Sequence, residues 1–351
     1  MKIKDFSFEI PAENIAQFPP EKRGESRMML LDRRSGNWGN HAVFELPELI
    51  ESGSLFVFNN SRVRKARIFC IDEVSGKKAE FLLLEQITDV PDRQMWKALM
   101  KRSKRMKAGR RFVLPDGNYA EISDHEEGCC HIAFNIPVDD NWLDCFGHIP
   151  LPPYIKRSDE EQDDIRYQTI FADKTGSAAA PTAGLHFTSE LLETLRKKNI
   201  MMTFITLHVG LGTFLPVHVE NIEDHKMHTE HFYINDDAAE KIESAKREGR
   251  NIIAVGTTTL RALESAWNSG RLRRGKNSTS LFIYGDYQFH TADMLFTNFH
   301  TPESTLLMLV SSFCGVFSGA EAGRKMILNA YNNALTEGYR FFSYGDAMLI
   351  I

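Results

Sequence analysis

Cysteine is scarce in this sequence, and long apolar segments are missing. The five cysteines are odd in number and show no C-x-x-C spacing, so neither a disulfide framework nor a zinc knuckle is indicated. The first residues lack the basic start and apolar stretch of a signal peptide, and we expect a cytoplasmic protein. The most apolar run, residues 306–317, is shorter than the roughly 20 residues that span a bilayer. We therefore predict a buried helix there.

The sequence also lacks a large excess of charge of either sign. It has 42 Lys and Arg against 47 Asp and Glu, a formal net charge of −5. That balance gives no global attraction to nucleic acid or to an anionic membrane, so such a partner would need a local basic patch. With 351 residues and 42% hydrophobic residues, the chain can bury the cores of about two domains, which excludes a disordered or fibrous protein.

Two common nucleotide-binding motifs are absent. No G-x-x-x-x-G-K-[ST] sequence occurs, which excludes a P-loop enzyme. Gly210 and Gly212 follow a predicted strand, but Leu215 stands where the dinucleotide motif has its third glycine. An ordinary Rossmann dehydrogenase is therefore not indicated.

The hydrophobic pattern divides the chain into two kinds of structure. Between residues 66 and 136, short apolar runs recur at about 8–12 residue spacing with turns between them, which predicts a small antiparallel barrel or sandwich. After the proline-rich residues 149–154, helical and strand patterns alternate, which favours an α/β layer or barrel. The predicted helices and strands there are residues 189–198, 237–249 and 260–267, and residues 200–209, 252–255 and 281–284, respectively.

A buried strand is also predicted at residues 55–58, before the β-rich block, so that block interrupts the α/β part. We predict an α/β main domain from residues 1–65 and 148–351 and an inserted β-barrel domain from residues 66–147. The acidic residues 159–164 are predicted to form a solvated loop.

Basic side chains cluster inside and just before the predicted insertion. They would neutralise several phosphates if they shared one face, but they could equally alternate around a barrel as solubilising charge. The two clusters consist of Arg62, Arg64, Lys65 and Arg67, and of Lys97, Lys101, Arg102, Lys104, Arg105, Lys107, Arg110 and Arg111.

A segment of small residues and a group of histidines are candidates for a binding site. Residues 175–188 contain small side chains that leave backbone groups open to a ligand, although a tight buried turn has the same composition. The histidines of residues 225–231 do not have the H-E-x-x-H spacing, and we expect no metal. Acid/base or hydrogen-bonding roles suit them better, and any one of them could be structural.

Longer motifs extend nearly from end to end of the chain. They resemble the S-adenosylmethionine:tRNA ribosyltransferase-isomerase family of queuosine biosynthesis. The segments that carry this resemblance are residues 26–27, 59–63, 150–154, 167–169, 176–188, 207–214, 225–230, 254–264, 297–307 and 339–348.

The resemblance implies a barrel-like α/β main domain with an inserted antiparallel β-barrel. It implies S-adenosylmethionine as the ribosyl donor. The acceptor would be 7-aminomethyl-7-deazaguanine in a tRNA with a GUN-type anticodon, and the products epoxyqueuosine-tRNA, adenine and methionine. We expect a monomer without a membrane partner.

Three positions depart from the usual family pattern: Gly285-Asp286 stands in place of Pro-Gly, Thr301 in place of Leu, and Glu303 in place of a basic residue. A noncatalytic tRNA-binding paralogue of the same fold is therefore the alternative. An ordinary methyltransferase is a third possibility, but the glycine-rich loop of such folds is missing.

The resemblance also implies site residues. Acid/base candidates are His186, His208 and His228, with Glu230 and Asp346 as orienting or proton-accepting carboxylates. Arg261 and Arg340 are candidates for pairing with the methionine carboxylate. The other implied substrate-binding residues are Gly176, Ser177, Thr182, Gly184, Thr188, Gly210, Gly212, Thr213, Asn298, His300, Ser304, Thr305 and Tyr344. The implied tRNA-binding residues are Arg62, Lys101, Lys104 and Arg105.

Overall fold

The computed structural model describes residues 1–90, 93–100, 107–126, 128–210 and 219–351. Nineteen strands are found in these residues. In chain order they are β1 (Arg27–Leu31), β2 (Trp38–Ala42), β3 (Leu55–Asn59), β4 (Ser61–Val63), β5 (Arg67–Asp72), β6 (Lys78–Val90), β7 (Arg93–Met100), β8 (Arg111–Val113), β9 (Tyr119–Glu126), β10 (Cys129–Phe134), β11 (Lys174–Ser177), β12 (Met201–His208), β13 (Glu230–Ile234), β14 (Ile252–Val255), β15 (Trp267–Asn268), β16 (Arg271–Leu272), β17 (Gly275–Thr279), β18 (Met294–Asn298) and β19 (Ala347–Ile350).

Helices alternate with these strands outside the β-rich block. They are α1 (Leu46–Leu49), α2 (Asp140–Phe146), α3 (Asp163–Arg166), α4 (Ser189–Lys197), α5 (Asp236–Arg247), α6 (Thr257–Ala266), α7 (Thr305–Cys314) and α8 (Ala320–Thr336). Short 3₁₀ helices lie at Ile3–Phe6, Ala12–Asn14, Val43–Glu45, Thr182–His186, Ile222–Asp224 and Gly315–Phe317.

The α/β part is built on one nine-stranded mixed sheet with the strand order β17-β13-β12-β3-β14-β18-β19-β1-β2. Strands β12, β3, β14 and β18 are parallel to one another, so their carboxyl ends meet at the same edge. Strand β19 is antiparallel to β18 and parallel to β1, which places the amino ends of β19 and β1 at that edge too. This edge positions the candidate site.

The second body is a closed barrel of the strands β10-β7-β6-β5-β8-β9, each paired antiparallel to its neighbours. Its interior holds aromatic side chains, including Phe81 and Phe112, whose ring centroids are 5.0 Å apart in an edge-to-face arrangement. The predicted fold class, an α/β part with an inserted antiparallel β-barrel, is confirmed.

Local sequence accounts for several helices. In α4, Leu191, Leu192 and Leu195 form the buried face, and the Thr188 hydroxyl accepts from the Leu191 N–H at 3.1 Å as the N-cap. Helix α7 is buried from Leu307 to Cys314, which confirms the helix predicted at residues 306–317. Within the described chain no single helix is long and apolar enough to cross a membrane. Helix α7 with its 3₁₀ extension and α8 together have the required length and apolar composition, but the two are bent by 118° relative to each other.

One prediction about local structure is wrong, and a second is wrong at Asp163. Residues 281–284 form no strand; Ile283 is buried in the main core, so its apolar neighbours signal burial rather than pairing. Asp163, in the acidic segment predicted to be solvated, is fully buried. Arg157 donates to both of its carboxylate oxygens at 2.6 and 2.8 Å, and the Tyr344 hydroxyl donates at 2.7 Å, so the charge is neutralised inside the protein.

Candidate active site

A cavity of about 520 Å³ lies at the sheet edge where the carboxyl ends of the parallel strands meet. Ligand pockets in α/β proteins occur at this kind of edge, because loops leaving the strands surround it. The walls come from the 178–183 loop, the 225–230 segment, the start of α6 and the loop between β18 and α7. Predicted site residues that line the cavity are Thr182, His228, Glu230, Arg261, Asn298, His300, Ser304 and Thr305.

A buried ion pair forms one wall of the cavity. Gly256, with φ +93°, makes the turn from β14 into α6, and Arg261 projects from that helix. The Arg261 guanidinium contacts the Glu230 carboxylate at the start of β13; their side chains are 7% and 4% exposed. Burial lowers the pKa of Arg261 to about 10, so the guanidinium remains a cation at neutral pH. The Arg261 Nε–H has no hydrogen-bond partner among the described residues.

Asn298 ends β18 on the floor of the cavity. Its side-chain nitrogen donates to His186 Nε2 at 3.0 Å and to the Phe342 carbonyl at 3.2 Å. His186 Nδ1 in turn lies 2.9 Å from the Ser26 hydroxyl. Burial first, and then the charges of Arg340 and Arg23, lower the pKa of His186 to about 3. His186 is thus a neutral imidazole at neutral pH. It is buried behind the cavity wall, because Asn298 lines the cavity and His186 does not.

The loop from β18 to α7 supplies further polar groups. His300 Nε2 lies 3.0 Å from the Thr297 hydroxyl, and burial lowers the pKa of His300 to about 3. Ser304 caps α7 by accepting from the Leu307 N–H at 3.2 Å. Glu303 also lines the cavity and has a left-handed backbone, with φ +56°. This places one of the departures from the family pattern on the cavity wall.

Thr301, a second departure, lines the same cavity. The third departure lies elsewhere: the Asp286 carboxylate accepts from the Ala320 N–H at 2.6 Å and so caps α8. The Gly285 carbonyl accepts from the Ser312 hydroxyl at 2.8 Å, which ties this turn to α7.

His228 faces the cavity from the segment before β13, together with His225. The His225 ring packs edge-to-face on Phe282, with centroids 5.3 Å apart. Burial and the neighbouring His228 lower the pKa of His225. No group of three or more His, Cys, Asp or Glu suitable for a metal ion occurs in the described residues.

Aromatic residues that were not singled out also line the cavity. The rings of Tyr154 and Phe342 lie 4.6 Å apart, and the Tyr154 hydroxyl is 2.6 Å from the Ser343 hydroxyl. Tyr167 lines the cavity as well, as do the threonines Thr257 and Thr258. An aromatic residue in a sequence usually indicates a core position rather than a binding site. The only sequence signal that could have pointed to Tyr154 and Phe342 was therefore their presence inside the matching motifs.

Several predicted residues lie behind or beside the cavity. His208, at the end of β12, packs against Gly176: a Cβ on Gly176 would lie 3.0 Å from His208 Cε1. The Ser177 hydroxyl donates to the Ala179 carbonyl at 2.7 Å and accepts from the Val209 N–H at 3.0 Å. Gly210 follows that strand end. The contacts of Ser177 hold the 178–183 loop in place, and Ser177, His208 and Gly210 do not line the cavity.

The remaining predicted residues of the main part have structural partners. Asp346 accepts from the Arg27 and Arg340 N–H groups at 3.1 and 2.8 Å, and the Arg340 guanidinium lies 3.6 Å from the same carboxylate. The Tyr344 hydroxyl bonds to buried Asp163. Thr188 caps α4, and a Cβ on Gly184 would lie 2.7 Å from Thr169. None of these residues lines the cavity. Gly212 and Thr213 lie outside the described residues.

The basic clusters are largely neutralised where the structure describes them. Carboxylates pair with Arg64, Lys65, Arg67, Arg110 and Arg111. Arg62, exposed on β4, makes no ion pair with any described residue. The predicted tRNA-binding residues Lys101, Lys104 and Arg105 lie outside the part of the chain that the structure describes.

Comparisons with known proteins agree along the whole length. The model of a family described as queuosine biosynthesis protein matches residues 3–350. The chain is 51% identical to the S-adenosylmethionine:tRNA ribosyltransferase-isomerase of Treponema denticola and 46% identical to that of Clostridioides difficile, each over 100% of both proteins.

A solved structure, the S-adenosylmethionine tRNA ribosyltransferase of Thermotoga maritima, is 32% identical, covers 99% of this chain and 100% of its own, and has a TM-score of 0.54. The resemblance noted in the sequence is confirmed by these matches. The chain belongs to the family of queuosine biosynthesis proteins.

Proposed function

We propose that this protein transfers and isomerises the ribosyl group of S-adenosylmethionine onto 7-aminomethyl-7-deazaguanine at the wobble position of tRNA. The products are epoxyqueuosine-tRNA, adenine and methionine. The observation that carries the proposal is identity of 51% and 46%, over full length, to relatives named for this activity. The cavity of about 520 Å³ supports it, because pockets for small ligands have volumes of about 300–1,000 Å³.

S-adenosylmethionine would occupy the cavity with its carboxylate near Arg261. That guanidinium is buried and has an N–H without a described partner, so an incoming carboxylate would satisfy it. Glu230 would orient Arg261. Thr182, His300, Ser304 and Thr305 supply further polar groups on the walls.

The reaction needs a base to remove a proton from the ribose 5′ carbon, which the adjacent sulfonium acidifies. The acid/base candidates were His186, His208 and His228. We assign His228 to proton transfer because it is the one of these three that lines the cavity. Adenine leaves more readily when a ring nitrogen is protonated or hydrogen-bonded. The attacking amine must be neutral, and methionine leaves as a neutral thioether. His186, His208 and Asp346 would act from behind the wall.

The tRNA substrate would carry a GUN-type anticodon and approach the sheet edge where the cavity opens. Arg62 lies on β4, the short strand that follows the carboxyl end of β3 at that edge, and its position supports this orientation. We propose that residues 66–147 form a separate inserted domain that contributes to tRNA binding through Lys101, Lys104 and Arg105, with residues 1–65 and 148–351 as the catalytic domain. We further propose a cytoplasmic monomer that needs no metal.

One assay separates the activity from its alternatives. The protein is incubated with S-adenosylmethionine and tRNA bearing the 7-aminomethyl base, and the small products are identified by chromatography. Adenine and methionine in equal amounts are expected. Tight tRNA binding without adenine release would instead indicate a noncatalytic binding protein, and S-adenosylhomocysteine would indicate a methyltransferase.

A variant tests the assigned base in the same assay. His228→Gln should lower adenine release at least about 100-fold, the scale of general acid/base catalysis, with little change in tRNA affinity. His290→Gln, at an exposed position outside the cavity, is the matched control. Equal rates for the two variants would remove His228 from the proton-transfer step.

A further inference from the structure

The orientation of the Asn298 amide is fixed by its surroundings. One of its two terminal atoms lies 3.0 Å from His186 Nε2 and 3.2 Å from the Phe342 carbonyl oxygen. A carbonyl oxygen only accepts, so this atom must be the amide nitrogen. His186 Nε2 is then an acceptor, and the imidazole proton must be on Nδ1, where it is donated to the Ser26 hydroxyl at 2.9 Å.

Both hydrogens of the Asn298 amide are therefore used behind the cavity wall. The other terminal atom, Oδ1, is buried and has no hydrogen-bond partner among the described residues, although Asn298 as a whole is 3% exposed and lines the cavity. A buried acceptor without a partner is costly, and a ligand donor would satisfy it. The amide cannot rotate to offer a donor instead without losing two hydrogen bonds.

The neighbouring walls indicate the kind of donor. The rings of Tyr154 and Phe342 pack on each other and both residues line the same cavity, and aromatic faces suit a planar heterocycle. Both bases of the proposed reaction carry an exocyclic amino group: adenine at its 6-position and 7-deazaguanine at its 2-position. Such an N–H donor matches an acceptor that cannot become a donor.

We propose that Asn298 Oδ1 recognises the exocyclic amino group of a purine-type base in the cavity, and that His186 and Ser26 are positioning residues that hold the amide in this orientation. This inference rests on the proposed function for the identity of the two bases. It predicts discrimination against a base that carries an oxo group at the same position, because two acceptors would then face each other.

The test compares matched ligands in two arms. In the first, the Kd of S-adenosylmethionine is compared with that of its 6-oxo (inosine) analogue without tRNA. In the second, kcat/KM is compared between tRNA carrying 7-aminomethyl-7-deazaguanine and tRNA carrying the analogue without the 2-amino group. We expect a preference of about 10- to 100-fold for the amino base in one arm, and that arm identifies the base.

Variants separate positioning from general stability. His186→Phe removes the acceptor at Nε2, so turning the amide costs one hydrogen bond fewer and the preference should fall. His186→Gln can still accept through its side-chain oxygen and should restore the preference. Phe187→Leu, at a fully buried neighbouring position away from the cavity lining, is the control that should keep it.

Asn298→Ala provides a second route if His186→Phe does not fold. Ala removes the acceptor Oδ1 and should abolish the preference. A protein that releases adenine yet discriminates in neither arm, or whose preference survives in His186→Phe or Asn298→Ala, would overturn this inference alone. Absence of adenine release from the wild type counts instead against the proposed activity, because the first arm needs no turnover.

Discussion

The guanidinium of Arg261 contacts the carboxylate of Glu230 on the cavity wall, where both side chains are almost entirely buried. Removing one partner of such a pair leaves an uncompensated charge in a medium that solvates it poorly. Each partner therefore depends on the other for its counter-charge, and Glu230 also determines how strongly Arg261 attracts an anionic ligand.

Glu230→Gln should lower the free energy of unfolding by about 3 kcal/mol, because Arg261 then lacks its counter-charge. S-adenosylmethionine should raise the melting temperature of this variant more than that of the wild type, since its carboxylate replaces the lost charge. Thermal unfolding with and without ligand measures both effects. Decarboxylated S-adenosylmethionine is the matched ligand, and an equal shift with it would show that the carboxylate does not reach Arg261.

Asp163 is the buried centre of a second charged network, with Arg157 and Tyr344 as its donors. Burial opposes ionisation, but these hydrogen bonds keep the pKa of Asp163 below its usual value. Asp163→Asn should cost about 3 kcal/mol or more in urea unfolding. Asp164→Asn is the neighbouring control: Asp164 is 40% exposed in its pair with Lys65, so its loss should cost less than about 1 kcal/mol. Similar costs would contradict the burial argument.

The elements that the sequence predicted well depend on local patterns. The buried strand β14 and the leucine face of α4 follow from residues adjacent on one strand or helix. Residues 281–284 show the limit of this reasoning, because a run of consecutive apolar residues indicates burial whether or not a strand partner exists. Asp163 shows it too: its partner Tyr344 is 181 residues away, and no local signal in an acidic run predicts that contact.

The site was predictable as a set of residues but not as an arrangement. His186 and His228 are alike in the sequence, since both lie in matching motifs. The structure distinguishes them: His186 is enclosed between Ser26 and Asn298, which is 112 residues away, and His228 faces the cavity. Contacts over such separations depend on the order of strands in the sheet, which composition and periodicity do not specify.

Stability should depend on pH through His186 and His300, both with pKa values lowered to about 3 by burial. The unfolded histidines take up protons below about pH 6.5, whereas the folded ones remain neutral until about pH 3. The unfolded state thus binds more protons in this window, and stability falls as the pH drops, by about 1.4 kcal/mol per pH unit for each histidine. His186→Gln should flatten the slope by that amount between pH 6 and 4.

Urea unfolding at several pH values measures this slope. His290→Gln is the control, since an exposed histidine has similar surroundings in both states. A His186→Gln slope equal to that of the wild type would show that His186 takes up its proton in the folded protein.

Gly176 is required by its backbone and by His208. It has φ +144°, and a Cβ there would lie 3.0 Å from Cε1 and 3.1 Å from Nδ1 of the imidazole. Gly176→Ala should cost about 2–4 kcal/mol and displace the ring, which NMR of the His208 resonances would detect. Gly249→Ala, at φ +68° with no atom within 4 Å, should show the backbone strain alone, about 1 kcal/mol. Equal costs would exclude the steric contact.

Arg62 provides the test of tRNA binding within the described structure. It is exposed beside the cavity edge and makes no ion pair with the described residues, so its charge is available to a phosphate. Each phosphate contact contributes about 0.7–0.9 to the slope of log affinity against log salt, and Arg62→Ala should reduce the slope by that amount. Arg34→Ala is the control. Arg34 follows the carboxyl end of β1 at the opposite edge of the sheet, so this variant also loses one positive charge but should leave the slope unchanged. Counterion release counts phosphate contacts. A slope that falls equally in both variants would therefore contradict a phosphate contact specific to Arg62.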